Sequence, residues 1–210
     1  MAAGRRERKK LETRKLIVTT AIRLFLAQGY ERTTVAQLTA EADIARKTFF
    51  NHFPSKEDVL FADVERYYHD AAMQVIAERG PDEPIPDLLL RIYELGVARE
   101  LAADSPFHDT DADTLERLNE LVMSVPALQA RSQRVWFDLV RRIAEALADA
   151  FPDELDVVTA GAAVGALMGA AQGAVQSAVH GAAGNDRSRD DYVAAAERGV
   201  DLVMRGLRTL

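Results

Sequence analysis

The chain has 210 residues, 48% hydrophobic and 28% charged, which suits one large or two small soluble domains with a real core. It has no cysteine, which excludes a disulfide framework and thiolate metal sites and fits a reducing cytoplasm. The net charge of −7 is unevenly divided: residues 1–60 carry 12 Lys/Arg and 7 Asp/Glu, the rest 14 and 26, so a basic head suited to a polyanion precedes an acidic body.

The N-terminal run containing Arg5, Arg6, Arg8, Lys9 and Lys10 is followed by no apolar stretch, so it does not read as a secretory signal. It suits an arm that reaches a minor groove or phosphates, and equally a disordered solubilising tail. Residues 9–28 show helical spacing through Ile17, Ala21, Leu24 and Phe25, with Gly29 placed to end the helix. Thr34 and Gln37 fit a capping box that opens a short second helix ending near Ala42. Asp43 and Ile44 read as a turn, and a third helix runs from about Ala45 to His52 before Pro54. Ser55 and Asp58 start a long fourth helix that reaches about Arg79, ahead of Gly80 and Pro81.

The remainder is also helical: about 86–103, 111–122, 126–151, 153–180 and 190–207, with a polar loop over 181–189. Alternating β-type runs are nearly absent, so the expected fold is all-α, with about nine helices. The expected division is a basic arm plus helix-turn-helix domain over 1–55 and a helical effector-binding and dimerisation domain over 56–210.

Two short helices joined by a tight turn and braced by a preceding helix make a helix-turn-helix. Helices this short persist only through tertiary packing, here expected of Val35, Leu38, Ile44, Phe49 and Phe53. That leaves Arg46, Lys47, Thr48, Phe50, Asn51 and His52 outward on the third helix. Arg and Lys suit guanine O6/N7, Asn suits adenine, and Thr suits base edges or phosphates.

The run Leu24-Phe25, Gly29-Tyr30, Thr33-Thr34-Val35, Ala42, Ile44, Thr48-Phe49-Phe50, His52-Phe53 and Ser55-Lys56 resembles the TetR (tetracycline-repressor-type) transcriptional regulators over about residues 11–60. The resemblance implies a homodimer that binds double-stranded operator DNA and releases it when a small molecule enters the C-terminal domain. It places Thr33, Thr34, Ala45 and Lys56 beside the third-helix residues as DNA contacts, Thr34 and Lys56 at phosphates. Phe50 stands where the family usually has Tyr, and lacks the hydroxyl a phosphate would accept from. Asp43 stands where Gly is usual, and Asp tolerates a left-handed backbone better than most residues. Ala45 replaces a Ser-like cap, a loss of about 1 kcal/mol.

In the body, Gly161, Gly165, Gly169 and Gly173 recur every four residues and make a flat ridge for close helix approach. With Val193, Val200 and Val203 they form the expected dimer seam. The segment 157–179 carries no charge, but its Ala/Gly composition, Gln172 and Gln176, and the flanking acids Asp153, Glu154 and Asp156 argue against a membrane span. The candidate effector-pocket wall is Tyr67, Tyr68, Tyr93, Phe107, Met123, Trp136, Phe137, Met168 and Gln172, adaptable and apolar enough for a lipophilic compound, drug-like or fatty-acyl. Arg91, Arg99, Arg131 and Arg134 are candidates to hold an anionic head group.

Enzymatic readings find little. His52, His69, His108 and His180 are scattered, and no nucleophile elbow, Gly-rich phosphate loop or HExxH occurs. Asp109, Asp111, Asp113 and Glu120 have the spacing of a calcium loop, but Thr114 stands where that loop needs Gly. Acids opening a helix explain the cluster better, and nothing calls for a cofactor.

Overall fold

A computed structural model describes residues 2–181 and 188–208. Its helices are α1 (Ala2–Gln28), α2 (Val35–Glu41), α3 (Arg46–His52), α4 (Asp58–Ala77), α5 (Ile85–Glu100), α6 (Ala112–Ser124), α7 (Pro126–Ala150), α8 (Val157–Gly181) and α9 (Arg189–Leu207). No strand occurs among the described residues, so the fold is all-α as expected. The expected 181–189 loop is largely outside the described residues: Gly181 ends α8 and Arg189 opens α9.

One difference lies at the start. The first helix begins at Ala2 rather than near residue 9, because the basic run is made of good helix formers and Arg8 pairs with Glu12 one turn on at 3.5 Å. Residues 4–10 are exposed on that helix.

The chain forms two compact units. The first comprises 1–66 and 99–135, the second 67–98 and 136–210. The first has its own core of Ile17, Val18, Phe25, Leu38, Phe49, Phe53, Val59, Leu118 and Leu128. Residues 99–135 join it because Phe107, Leu118 and Leu128 bury their side chains in that core. Phe107 is therefore head core and does not line a body pocket.

The second unit packs Leu88, Leu89, Ile92, Leu139, Ile143, Leu147, Val164, Leu167 and Val200 together. The expected seam residues also have neighbours within their own chain. The glycine row of α8 faces α7 of the same chain: Cβ atoms at Gly161, Gly165 and Gly169 would lie 3.8–3.9 Å from Ala144, Val140 and Trp136. Val200 is 3% exposed within its own chain, and Val193 and Val203 are half-buried. A Cβ added at Gly173 would meet nothing within 4 Å among the described residues outside its own helix backbone. α8 and α9 approach each other tightly at Gly199, where a Cβ would stand 2.3 Å from the Ala170 carbonyl oxygen. Small residues do let helices meet here, within one chain and from the α9 side.

Candidate nucleic-acid interface

The head presents its short helices in the arrangement that reads a groove, and each end is fixed by a nameable interaction. Thr34 caps α2 through a complete capping box: its Oγ1 accepts from Gln37 N at 3.2 Å, and Gln37 Oε1 accepts from Thr34 N at 2.8 Å. The turn after α2 passes through Asp43 at φ +49°, the left-handed conformation that Gly would adopt more easily. Ala45 caps α3 with no side-chain hydrogen bond, as its methyl dictates.

Phe49 and Phe53 are fully buried beneath α3. Ala45, Arg46, Lys47, Phe50 and Asn51 are exposed, and Thr48 and His52 half-buried. Phe50 is 44% exposed, with the Arg46 guanidinium 5.6 Å from its ring centroid. A seven-residue helix thus offers two cations, an amide and an aromatic edge on a rigid aromatic base.

Of the expected contacts, Thr33 is buried and Lys56 also has partners within the head. Thr33 is 0% exposed; its hydroxyl donates to Gly29 O at 2.9 Å and accepts from Gln28 Nε2 at 3.1 Å, so it braces the turn between α1 and α2. Lys56 Nζ donates to Tyr30 O and Thr33 O, both at 2.9 Å, and lies 3.7 Å from the Tyr30 ring centroid. At least two of its three protons hold that turn. Tyr30 completes the clamp by donating to Glu57 Oε1. Burial first, then this bond to a carboxylate, raises the Tyr30 phenol far above its ordinary value. Burial pushes the Glu57 carboxyl upward, but the Tyr30 bond and further hydrogen bonds outweigh it and hold the carboxyl low.

A buried polar cluster, missed in the sequence, ties α3 to α1 and α4. Arg14 Nε donates to Asp63 Oδ1 at 2.6 Å, Arg14 Nη1 donates to His52 O at 2.9 Å, and the guanidinium stands 4.2 Å from the Phe53 ring centroid. The Asp63 side chain is 1% exposed. Burial first, then Arg14 and Lys10, push the His52 imidazole below its ordinary pKa, against an opposing pull from Asp63. Nearby, Arg131 Nε donates to Asp58 Oδ1 at 2.6 Å and lies 3.6 Å from Glu65, so it is spent within the head.

Of the expected pocket wall, the second unit brings Tyr68, Tyr93 and Met168 together. With Leu89, Ile92, Ile143, Val164 and Leu167 they line an internal cavity of about 10 Å³, room for hardly one water. The others are elsewhere. Tyr67 is buried outside that lining; Trp136 packs on Gly169; Met123 and Phe137 are 50% and 69% exposed; Gln172 is exposed. Among the candidate anion-holding arginines, Arg91 pairs with Glu83 at 2.5 Å, and Arg131 is engaged as above.

The acidic cluster resolves into separate roles. Asp111 caps α6, accepting from Thr114 N at 2.7 Å, and that bond foremost holds its carboxyl below the usual range. Asp113 lies 3.6 Å from Arg117 and Asp109 3.5 Å from Lys15. No group of three metal-ligating side chains gathers among the described residues.

The chain is similar to known proteins along most of its length. Residues 17–62 match the family described as bacterial regulatory proteins, tetR family, and residues 98–208 match the MftR C-terminal domain. The HTH-type transcriptional regulator TcmR of Streptomyces glaucescens is 29% identical over 153 residues, 73% of this chain and 66% of that protein. The HTH-type transcriptional regulator TtgR of Pseudomonas putida is 27% identical over 158 residues, 73% of this chain and 75% of that one. Two regulators of Bacillus subtilis, YuxN and YerO, are matched over 22% and 19% of their lengths. In fold, the chain resembles the fatty acid degradation regulator FadR from Bacillus halodurans, with a TM-score of 0.52, 17% identity and coverage of 93% of this chain and 96% of that one. It also resembles a TetR-family regulator from Mesorhizobium loti, with a TM-score of 0.50, 14% identity and coverage of 94% and 96%.

Proposed function

Because the chain belongs to the tetR family of bacterial regulatory proteins, we propose that it is a cytoplasmic homodimeric repressor that reads a near-palindromic duplex operator with α3 and leaves it when a small lipophilic molecule enters the second unit. The observation that carries this is α3 itself: Arg46, Lys47, Phe50 and Asn51 exposed over the fully buried Phe49 and Phe53. Two such helices, one per protomer, fit successive major grooves about one helical turn apart. Arg46 and Lys47 suit guanine, Asn51 suits adenine, and Phe50 suits a thymine methyl. Thr34 and Gln37, exposed at the start of α2, suit phosphates.

The dimer rests on α8. Val157–Ala178 has the length and hydropathy of a membrane-crossing helix, yet only 22% of its most apolar window is buried in one chain. Val158, Ala162, Ala166, Gly173 and Ser177 are exposed along it and carry no charge. A second copy meeting this face isologously covers it without lipid.

The effector reading rests on the cavity among Tyr68, Tyr93 and Met168, whose lining is apolar apart from the two tyrosines. Tyr68 lies on α4, the helix that begins directly after the helix-turn-helix. A ligand that favours one placement of α4 is thereby coupled to operator affinity, by the difference in its own affinity for the two placements.

The test is duplex binding by Arg46→Ala and Lys47→Ala. Each loses about 5- to 100-fold on the preferred sequence with little change in melting temperature, and each lowers the salt dependence only if it meets a phosphate. Unchanged affinity in both variants contradicts the reading. Sedimentation in detergent-free buffer tests the dimer: a dispersed dimer supports it, and a monomer contradicts it.

A further inference from the structure

The reading helix is held from behind by a charge pair that stability alone does not explain. α3 has seven residues, about two turns, and no side-chain cap at its N-terminal end. Its orientation therefore depends on what grips its floor and its C-terminal end. The floor is Phe49 and Phe53. The C-terminal grip is Arg14, whose guanidinium reaches three features at once: the His52 carbonyl at 2.9 Å, the Asp63 carboxylate at 2.6 Å and the face of Phe53 at 4.2 Å. A cation at that end also complements the negative end of the helix.

The cluster is costly where it stands. Asp63 occupies the buried row Val59, Asp63, Tyr67, Ala71 and Val75, spaced by four residues on α4. Its Oδ1 also accepts from Arg66 at 3.1 Å, while its Oδ2, like His52 Nδ1, is buried with no hydrogen-bond partner among the described residues. Buried ion pairs contribute little to stability compared with apolar replacements, and an unsatisfied buried acceptor lowers it. What a two-pronged guanidinium supplies and an apolar contact does not is a fixed direction: one prong on the helix end, one on the carboxylate.

We propose that Arg14 and Asp63 are positioning residues for sequence reading: Asp63 orients the Arg14 guanidinium, which sets the angle at which α3 presents Arg46, Lys47 and Asn51. The inference rests on the operator-binding reading above. It assigns base specificity to a buried acid and a half-buried arginine outside the helix-turn-helix itself.

The experiment compares the full-length chain with Asp63→Asn, Arg14→Lys and the double variant Arg14→Gln/Asp63→Asn. Each is titrated against its selected consensus duplex and against a scrambled duplex, with melting temperature measured alongside. Asp63→Asn loses about 10- to 100-fold on the consensus and under about 3-fold on the scrambled duplex, because phosphate attraction survives while base alignment does not. Arg14→Lys keeps the charge and the fold but cannot bridge both partners, and loses consensus affinity in the same selective way. The double variant removes both charges of the pair, so its melting temperature recovers toward the parent while its consensus affinity stays low. Consensus affinity that recovers together with melting temperature, or equal losses on both duplexes, overturns the inference in favour of a merely structural pair. Failure of the parent chain to select any consensus is a different result, and removes the operator reading with everything built on it.

Discussion

The Tyr68 ring occupies the space that a side chain at residue 96 would need: a Cβ on Gly96 would stand 2.4 Å from Tyr68 Cδ1 and 2.7 Å from Cε1. Tyr68 also lines the small internal cavity, so glycine at 96 lets α5 seat the ring there. Gly96→Ala forces the ring aside and destabilises the chain by about 1–3 kcal/mol, read by urea unfolding. Adding Tyr68→Ala removes the clash, so the two changes are non-additive, with the double variant less destabilised than the sum of the singles. Strict additivity contradicts the contact.

Glycines on neighbouring helices respond with opposite signs. Gly165 has room, since an added Cβ meets Val140 Cγ1 at 3.9 Å, so Gly165→Ala stabilises α8 by about 0.5–1 kcal/mol through helix propensity. Gly199 has none: its Cβ would meet Ala170 backbone at 2.3 Å, so Gly199→Ala destabilises by at least about 2 kcal/mol. Thermal melting of the two variants, in opposite directions from the parent, is the check.

Arg131 shields a buried acid. The Asp58 and Arg131 side chains are 9% and 23% exposed and 2.6 Å apart. Arg131→Ala leaves Asp58 with Ser55 as its remaining partner and costs about 3 kcal/mol by denaturant unfolding. Arg131→Met, which also leaves the acid unpaired, does no better; Asp58→Asn in the Arg131→Ala background recovers part of the loss.

His52 gives the head a pH dependence with a definite sign. Its folded-state pKa lies below the ordinary 6.5, so the unfolded chain takes up the proton first. The contribution to stability is complete above about pH 6.5 and is lost as pH falls through the folded value. The melting temperature of the parent therefore drops on acidification from pH 7.5, and His52→Gln removes that component. A pH profile unchanged by this substitution contradicts the burial of the His52 imidazole near Arg14.

Much of the head was legible in the sequence because its signals are local. Thr34 with Gln37, Pro54 and the Phe49/Phe53 spacing each define an element within a few residues. Asp43 read as a left-handed turn position, and it adopts φ +49°. Thr33 was misread because adjacent threonines look alike in sequence, and only the fold decides which one caps outward and which is buried. Asp63 was a visible anomaly, an acid in an apolar row, but its partner Arg14 lies 49 residues away and has no local signature. The glycine row on α8 marks a surface for close helix approach, and α7 of the same chain supplies one neighbour to it, since small residues specify distance but not the partner. Phe107, Met123 and Phe137 have pocket-like chemistry, and burial alone separates head core, exposed surface and cavity wall.

Selection of tight binders from a random duplex DNA pool, followed by anisotropy titration at two salt concentrations, tests the central claim most directly. The expected result is a near-palindromic consensus with half-sites about one helical turn apart and a steep fall in affinity with salt. Enrichment of no sequence, with weak and salt-insensitive binding by protein shown by denaturing mass spectrometry to carry no small molecule, would contradict it.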